Sequence, residues 1–432
     1  MADSDKITAI FNKANYQNAK DEDELLSDKN PFLIFNTCSV RQKAEDRVFG
    51  LNKKLLELKD KNPNLKVVLT GCMMHYSEKE LKNRLPHFDY FIDMKKIKKL
   101  SRLLPEAIWL KDAQAKTNAS ALIPISNGCN NFCTYCVVPL ARGREISRTV
   151  LEILKDVRKA VADGAKEIWL LGQTVNSYKG SMTETELDLA SRLYLNNAND
   201  PTANPMSAKS SYASVNFANL LRLINAINGD FWIRFASPHP KDFSDELIKA
   251  MTECEKFARY INLPIQSGNN AILKKMGRPY TVGHYKKLVK KIRKAMPEIS
   301  LSTDIIVGFP GETRKQFEDT KKIFEEIRFS MAFISEYSPR PKTAAAKYFK
   351  DDVSHEEKER RKDELNEILK KTALENNQKL VGKTIKILNE RTEGNKLIKI
   401  TNVRHPMSNI KNEFALVKIL KAKTWSLEGK LL

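Results

Sequence analysis

The stretch CNNFCTYC, residues 129–136, places three thiols within eight residues. It comes directly after an apolar run ending near Gly128, which we predict to be the first strand of a larger α/β domain. A loop of this kind can wrap a 4Fe-4S cubane, because three thiolates bind three irons and leave the fourth iron without a protein ligand. A small molecule can coordinate that open iron, so the motif indicates catalysis rather than electron storage.

A zinc site is the main alternative for these thiols. Structural zinc prefers four protein ligands in two separated pairs, and no fourth ligand lies near residues 129–136 in the sequence. Disulfides are disfavoured, because the chain has six cysteines among 432 residues, no signal peptide and no apolar run of about 20 residues. We therefore expect a cytoplasmic monomer without membrane attachment, and we expect Cys254 to be a packing residue on a helix.

Residues 115–350 surround this motif with six alternating strand and helix patterns. The strands are predicted to end near Gly128, Gln173, Ser237, Gln266, Gly308 and Tyr337. Six units are enough for an open (β/α)6 barrel, whose active site would lie at the C-terminal ends of the strands. His239 follows one strand and could face a substrate. The candidates for cofactor binding at the strand ends are Gly172, Gln173, Ser237, Gln266 and Asp304.

Residues 1–105 are predicted to form a smaller α/β domain with a parallel sheet. The strands are residues 33–35, 66–69 and 90–92, and a helix is predicted over 40–61. Cys38 and Cys72 each come directly after a strand, where open α/β sheets place their ligand sites.

Three further segments complete the predicted architecture. Residues 180–216 are rich in Ser, Thr, Asn and Ala, and we expect a disordered surface insertion without clear strands. Residues 351–378 are predicted to form a charged connecting helix. Residues 379–432 alternate with period two, which predicts a small β-barrel.

The charge of the chain favours a polyanionic partner. The formal net charge is +21, and residues 379–432 carry 12 Lys and Arg against 4 Glu. Barrel-like patterning together with excess positive charge favours contact with RNA backbone, although a barrel can also be basic without binding RNA.

The cysteine motif, with an aromatic residue before its last cysteine, resembles that of the radical S-adenosylmethionine superfamily. Other segments resemble the methylthiotransferases, and among them the tRNA-modifying MiaB type. Together they cover nearly the whole chain apart from the insertion. These segments are residues 36–41, 69–72, 128–139, 142–145, 171–178, 237–240, 263–268, 304–313 and 337–341.

The resemblance implies an enzyme that methylthiolates C2 of an isopentenylated adenosine beside the tRNA anticodon. Cys129, Cys133 and Cys136 would hold the catalytic 4Fe-4S cluster that cleaves S-adenosylmethionine. Cys38 and Cys72 match ligands of a second 4Fe-4S cluster. The C-terminal barrel would be the RNA-binding TRAM domain, and an electron donor such as flavodoxin or ferredoxin would reduce the enzyme.

The chain departs from the family at its beginning. The family pattern has a strand and a further cysteine ahead of the stretch that aligns with residues 2–7, and this chain has neither. We expect the natural start to lie upstream; otherwise the second cluster is incomplete. Three rival functions remain. The first is a sister methylthiotransferase acting on another tRNA adenosine or on a ribosomal-protein aspartate, the second is a tRNA-binding protein with a vestigial N-terminal cluster, and the third is a structural protein whose cysteines bind zinc.

Overall fold

The computed structural model describes residues 2–13, 16, 18–37, 42–93, 96, 119–183, 212–401 and 412–432. These residues fall into two compact units. One is drawn from 1–116, 128–132 and 136–144, and the other from 117–127, 133–135 and 145–432. No helix in the described ranges is long and apolar enough to cross a membrane.

The first unit is built around a parallel sheet. Its strands are β1 (Phe32–Thr37), β2 (Lys66–Gly71) and β3 (Tyr90–Ile92), paired in that order. A 3-10 turn, Cys72–His75, follows β2 directly. The helices are α1 (Ala2–Lys13), α2 (Glu22–Ser27), α3 (Gln42–Phe49), α4 (Asn52–Lys61), α5 (Glu78–Arg84) and α6 (Val138–Arg142).

Alternation along β2 gives this sheet two apolar faces. Val67 and Leu69 pack with residues of α4 and α5, whereas Val68 packs with Ile7 and Ile10 of α1. The three predicted strands are thus confirmed. The single helix predicted over 40–61 is wrong, because Gly50 and Leu51 separate α3 from α4. Glycine is a poor residue in a helix interior, which favours the break at this point.

The second unit begins with six parallel barrel strands in two sheets of three. Sheet one has the order β10-β7-β4 and sheet two the order β11-β12-β13, with a parallel bridge from Ile233 to Phe257 between them. The barrel strands are β4 (Ser120–Pro124), β7 (Glu167–Leu171), β10 (Trp232–Phe235), β11 (Tyr260–Asn262), β12 (Ser300–Val307) and β13 (Met331–Glu336). The short β5 (Ser126–Asn127) pairs with β6 (Ile146–Ser147).

Helices alternate with these strands along the chain, which confirms the predicted open (β/α)6 arrangement. They are α7 (Val150–Ala162), α8 (Phe217–Asn225), α9 (Asp245–Glu253), α10 (Asn270–Lys275), α11 (Val282–Ala295) and α12 (Arg314–Ile327). Two of them begin with a capping box, formed by Thr149 with Glu152 on α7 and by Thr313 with Gln316 on α12. One large apolar core joins five of these helices, all except α10, to the strands.

The two ends of the predicted insertion are strands, so the expectation of no strands across 180–216 is wrong there. Strand β8 (Lys179–Thr183) pairs antiparallel with β9 (Tyr212–Asn216). Met182 and Val215 are buried in the barrel core. The pairing joins segments about 30 residues apart in sequence, which local composition does not reveal. Residues 184–211 lie outside the described residues.

A long helix connects the barrel to a second, smaller barrel. After α13 (Ala344–Tyr348), helix α14 (His355–Gln378) starts at the cap residue Ser354. Five strands then close a barrel in the order β14-β15-β16-β18-β17, as predicted. They are β14 (Thr384–Leu388), β15 (Arg391–Thr392), β16 (Leu397–Ile400), β17 (Phe414–Ala422) and β18 (Ser426–Leu431).

The turn between β15 and β16 packs against the N-terminal ends of the larger barrel's strands. Arg234 of β10 is fully buried and donates hydrogen bonds to the carbonyls of Thr392 and Glu393, at 3.1 and 2.7 Å. Its Nε also donates to Glu167 of β7 at 2.5 Å. The turn 392–396 therefore closes the base of the larger barrel, at the end opposite the expected active site.

Candidate active site

The three-cysteine loop begins at a position that only glycine can occupy. Gly128 has φ +85°, and a Cβ atom there would overlap the carbonyl of Arg144. This close approach lets the N–H of Cys129 donate to the carbonyl of Gly143 at 3.1 Å. The first cysteine is thereby fixed to the residue that follows α6.

Each of the three sulfurs accepts a hydrogen bond from an N–H group. The backbone N–H of Asn131 donates to Cys129 Sγ at 3.4 Å, and that of Val138 donates to Cys136 Sγ at 3.5 Å. The third donor is a side chain: Nη1 of Arg278 donates to Cys133 Sγ at 3.5 Å. N–H donors of this kind orient and support sulfur ligands around an iron-sulfur cluster.

The donor set fits an iron-sulfur cluster by its chemistry: three cysteines on one loop, with N–H donors supporting the sulfurs. In the described part of the chain, no three His, Cys, Asp or Glu side chains form a group that could hold one metal ion. The ligands of a cubane differ from such a group, since each binds a different iron.

An aromatic side chain within the loop faces outward. Phe132 is 60% exposed, and the guanidinium of Arg144 lies 4.7 Å from its ring centroid. An exposed ring beside a guanidinium is a suitable surface for stacking a nucleobase.

Two of the predicted strand-end residues are brought together. The backbone N–H of Gln266 donates to the carbonyl of Asp304 at 2.9 Å, and the Asp304 carboxylate accepts from Nδ2 of Asn262 at 2.7 Å. Gln266 has φ +73° and Ser237 has φ +60°. Such strained backbone conformations often mark functional sites.

The remaining predicted positions lie at the end of β7. Gly172 approaches Ser126 so closely that a Cβ would lie 2.7 Å from the serine Oγ, and Gln173 follows it half-buried. Ser237 is exposed after β10. These three residues lie at the C-terminal edge of sheet one, and Gln266 follows β11 of sheet two. The prediction of a strand-end position is wrong for Asp304, because β12 continues for three residues beyond it to Val307.

Sequence reasoning missed a polar network beside Cys133. Arg278 is 8% exposed, and it donates to Tyr280 Oη at 2.7 Å and to the carbonyl of Pro264 at 3.1 Å. Burial raises the pKa of Tyr280 to about 12. These residues lie in a loop after α10, where the only sequence signal was an arginine between Gly277 and Pro279.

A second missed pair joins the cysteine loop's C-terminal flank to the end of β7. Ser177 Oγ donates to both carboxylate oxygens of Glu145, at 2.8 and 2.7 Å. Burial raises the pKa of Glu145, although the hydrogen bond from Ser177 opposes that effect.

His239 is buried among these strand-end loops. Its Nδ1 accepts from the N–H of Lys241 at 3.2 Å, and its backbone exchanges hydrogen bonds with the Asn176 side chain. Nε2 of His239 has no hydrogen-bond partner among the described residues. Burial, with the positive charges of Arg278 and Lys241, lowers the pKa of His239 to about 2.

The N-terminal cysteine site is described only in part. Cys72 is buried at the start of the turn that follows β2, and Gly71 before it has φ +93°. Register pairs Thr37 with Gly71, so both strands end at the same edge of the sheet. Helix α6 contacts the turn Cys72–His75. Cys38 lies outside the described residues.

Cys254 has the structural role expected of it. It is 1% exposed in the large core, directly after α9, and burial raises its pKa to about 12. A thiol in this environment is unreactive.

Comparison with known proteins supplies the family. Residues 123–324 match the model of the radical SAM superfamily, and residues 1–93 match that of uncharacterized protein family UPF0004. The chain is 38% identical to a tRNA-2-methylthio-N(6)-dimethylallyladenosine synthase of Clostridium novyi, over 100% of this chain and 93% of the relative. It is 36% identical to one from Thermoanaerobacter sp., over 99% of this chain and 89% of that relative.

A solved structure with the same fold is the radical S-adenosylmethionine methyltransferase TsrM from Kitasatospora setae, with cobalamin and a [4Fe-4S] cluster bound. It matches at a TM-score of 0.53 and 14% identity, covering 80% of this chain and 74% of that one. At this identity the likeness concerns the fold alone.

Proposed function

The chain belongs to the family of tRNA-2-methylthio-N(6)-dimethylallyladenosine synthases, and from this we propose that it methylthiolates C2 of the isopentenylated adenosine beside the tRNA anticodon. It is a radical SAM methylthiotransferase, and its family implies a 4Fe-4S cluster and S-adenosylmethionine. The supporting observation in the molecule is the loop 129–136, in which each cysteine sulfur accepts an N–H hydrogen bond.

In the proposed assignment Cys129, Cys133 and Cys136 ligate the cluster, and the strand-end residues bind S-adenosylmethionine. When bound, the cluster and S-adenosylmethionine supply the radical that removes hydrogen from C2, and a second S-adenosylmethionine supplies the methyl group. The protein's own residues orient these groups. The candidates for holding S-adenosylmethionine are Gly172, Gln173, Ser237, Gln266 and Asp304.

The second cluster is proposed for the edge of the N-terminal sheet, with Cys38 and Cys72 as ligands. The contact of α6 with the turn Cys72–His75 supports this placement, because α6 begins two residues after Cys136. We further propose a cytoplasmic monomer, reduced by an electron donor such as flavodoxin or ferredoxin. The proposed domains are residues 1–105, 115–350, 351–378 and 379–432.

The C-terminal barrel is the proposed RNA-binding TRAM domain. On its outer face Lys418 of β17 lies directly opposite Lys430 of β18, and both are exposed. Trp425 in the connecting turn is 42% exposed. Like charges in direct cross-strand register destabilise a sheet, so their presence beside an exposed indole favours a polyanion-binding surface.

The proposal is tested with an RNA hairpin that carries the isopentenylated adenosine. The anaerobically reconstituted protein is incubated with this RNA, S-adenosylmethionine, sulfide and a reductant, and the nucleosides are analysed by mass spectrometry. We expect conversion of the C2–H of adenosine to C2–SCH3, with 5′-deoxyadenosine as co-product. A hairpin with unmodified adenosine is the matched substrate control.

The variant Cys129→Ala/Cys133→Ala/Cys136→Ala should form neither product. Release of 5′-deoxyadenosine without methylthiolation of either hairpin would contradict the proposed substrate. Binding of the hairpin without cleavage of S-adenosylmethionine by the wild type would contradict the proposed activity.

A further inference from the structure

The arginine beside Cys133 has no carboxylate partner. The Arg278 guanidinium donates hydrogen bonds to Tyr280 Oη, the Pro264 carbonyl oxygen and Cys133 Sγ, and within the described part of the chain it forms no ion pair with Asp or Glu. A buried charge without a counter-charge is strongly destabilising. The partner that balances it should therefore be negative and should lie at the sulfur.

The guanidinium is held rigidly from two sides. Tyr280 Oη, which accepts from Arg278 Nε, donates in turn to the carbonyls of Pro264 and Ile265, at 3.1 and 3.0 Å. The backbone N–H of Arg278 donates to the carbonyl of Leu273 at 2.9 Å. The direction of Nη1 toward the sulfur is thus fixed before any cofactor binds.

The residue after Cys133 is fixed by the same segment. Thr134 donates through its N–H to the carbonyl of Met276 at 3.0 Å, and through Oγ1 to the carbonyl of Lys275 at 2.9 Å. The N–H of Ala345 donates to the carbonyl of Thr134 at 2.7 Å. The segment 275–278 therefore sets both the backbone at Cys133 and the charge next to its sulfur.

We propose that Arg278 is a positioning residue for the cluster: it orients the Cys133 sulfur for ligation and stabilises the reduced cluster with its uncompensated positive charge. Hydrogen bonds to sulfur and net charge set the potentials of iron-sulfur clusters. Reduction adds one negative charge next to the guanidinium, so the arginine makes reduction easier. This inference rests on the part of the proposed function that assigns Cys129, Cys133 and Cys136 as ligands.

The test measures the cluster rather than methylthiolation. In reconstituted protein, the midpoint potential of the 2+/1+ couple is followed by electron paramagnetic resonance, using the signal that disappears in the triple cysteine variant. We expect Arg278→Gln to retain its iron and to shift the midpoint potential to a more negative value, while Arg278→Lys stays closer to the wild type. Arg293→Gln is the matched control, because Arg293 is half-buried on α11 and has no contact with a cysteine of the loop.

An unchanged potential in an iron-loaded Arg278→Gln protein would overturn the proposal. Should the Gln variant fail to bind iron, binding by the Lys variant supports a requirement for the charge, whereas failure of both variants overturns the proposed tuning of potential. If the wild type forms no cluster that depends on the three cysteines, the proposed function fails rather than this inference.

Discussion

His239 is deeply buried, whereas an imidazole exposed to water binds a proton near neutral pH. Unfolded histidine binds a proton near pH 6.5, but the folded protein holds this side chain neutral because its pKa lies near 2. Between these values the unfolded state binds more protons, so the free energy of unfolding falls as the pH drops below about 6.5. The maximal slope is about 1.4 kcal/mol per pH unit for one group.

We therefore expect His239→Asn to reduce the acid sensitivity of folding, because the Asn carbonyl oxygen can replace Nδ1 as acceptor for the Lys241 N–H. Denaturant unfolding at pH 7.5, 6.5 and 5.5 measures this slope. His284→Asn, at an exposed histidine of α11, provides the comparison. Equal slopes for wild type and His239→Asn would exclude His239 as the titrating group.

Among single residues, the sequence predicted those candidate site residues that stand in a recognisable local pattern. Cys129, Cys133 and Cys136 could be selected by spacing, and Gln266 by its place at the end of a predicted strand. Arg278 could not be selected, because its contacts with Cys133 and Pro264 join residues 145 and 14 positions away. The role of a polar side chain in a loop can be inferred only once the fold shows which residues it contacts.

Among the structural elements, the turn between β15 and β16 closes the base of the larger barrel through Arg234. Replacing this arginine with methionine would leave the Glu167 carboxylate without its cationic partner and would remove the hydrogen bonds from Arg234 to the carbonyls of Thr392 and Glu393. We expect Arg234→Met to destabilise the protein by about 3–5 kcal/mol. Arg222→Met should cost less than about 1 kcal/mol, since Arg222 pairs with Glu246 and Glu253 at the surface.

Denaturant unfolding of the two variants provides the comparison. Similar stabilities for Arg234→Met and Arg222→Met would mean that the turn does not hold the barrel base.

The exposed face of β17 and β18 makes a prediction about RNA. Lys418 and Lys430 form no ion pair among the described residues, so both can contact phosphates. We expect Lys418→Ala/Lys430→Ala to weaken tRNA binding and to reduce the slope of log K against log salt by about 1.4, at about 0.7 per contact with single-stranded RNA. Fluorescence anisotropy titrations at several salt concentrations measure the slope.

Lys249→Ala, on the outer face of α9, should leave that slope unchanged. Loss of affinity without a change in slope would show that the two lysines do not bind phosphate.

Strands and helices were predicted correctly where the local pattern of apolar residues was sufficient to identify them. The strands of both sheets and the C-terminal barrel follow from apolar runs or period-two alternation. The hairpin of β8 and β9 did not follow, since its strands are rich in small and polar residues and their partners are distant in sequence. The break between α3 and α4 could have been predicted only from Gly50, because the helical spacing of apolar residues continues across it.

At the scale of the whole molecule, the proposed function requires two clusters. We expect reconstituted wild type to bind about eight irons and the triple cysteine variant about four, since each cubane holds four. Iron analysis with quantitative amino-acid analysis measures both values. A fall from about four to none would mean that Cys38 and Cys72 hold no cluster in this chain.

The overall architecture could be predicted from the sequence because it consists of repeated units. Six β/α repeats and a basic alternating segment indicate two barrels, and the position of the cysteine loop after the first strand indicates which barrel carries the chemistry. The sequence could not predict that a turn of the smaller barrel closes the larger one, because Arg234 and Thr392 come into contact only in the folded molecule.

That contact also orders events during synthesis. The ribosome completes all six strands of the larger barrel before it makes Thr392 and Glu393, the acceptors for Arg234. A nascent barrel therefore holds a cation at its base that lacks two of its hydrogen-bond acceptors until residues 392 and 393 emerge. Chains terminated before residue 392 would lack both carbonyl acceptors and would keep that base open, which should make them more susceptible to proteolysis.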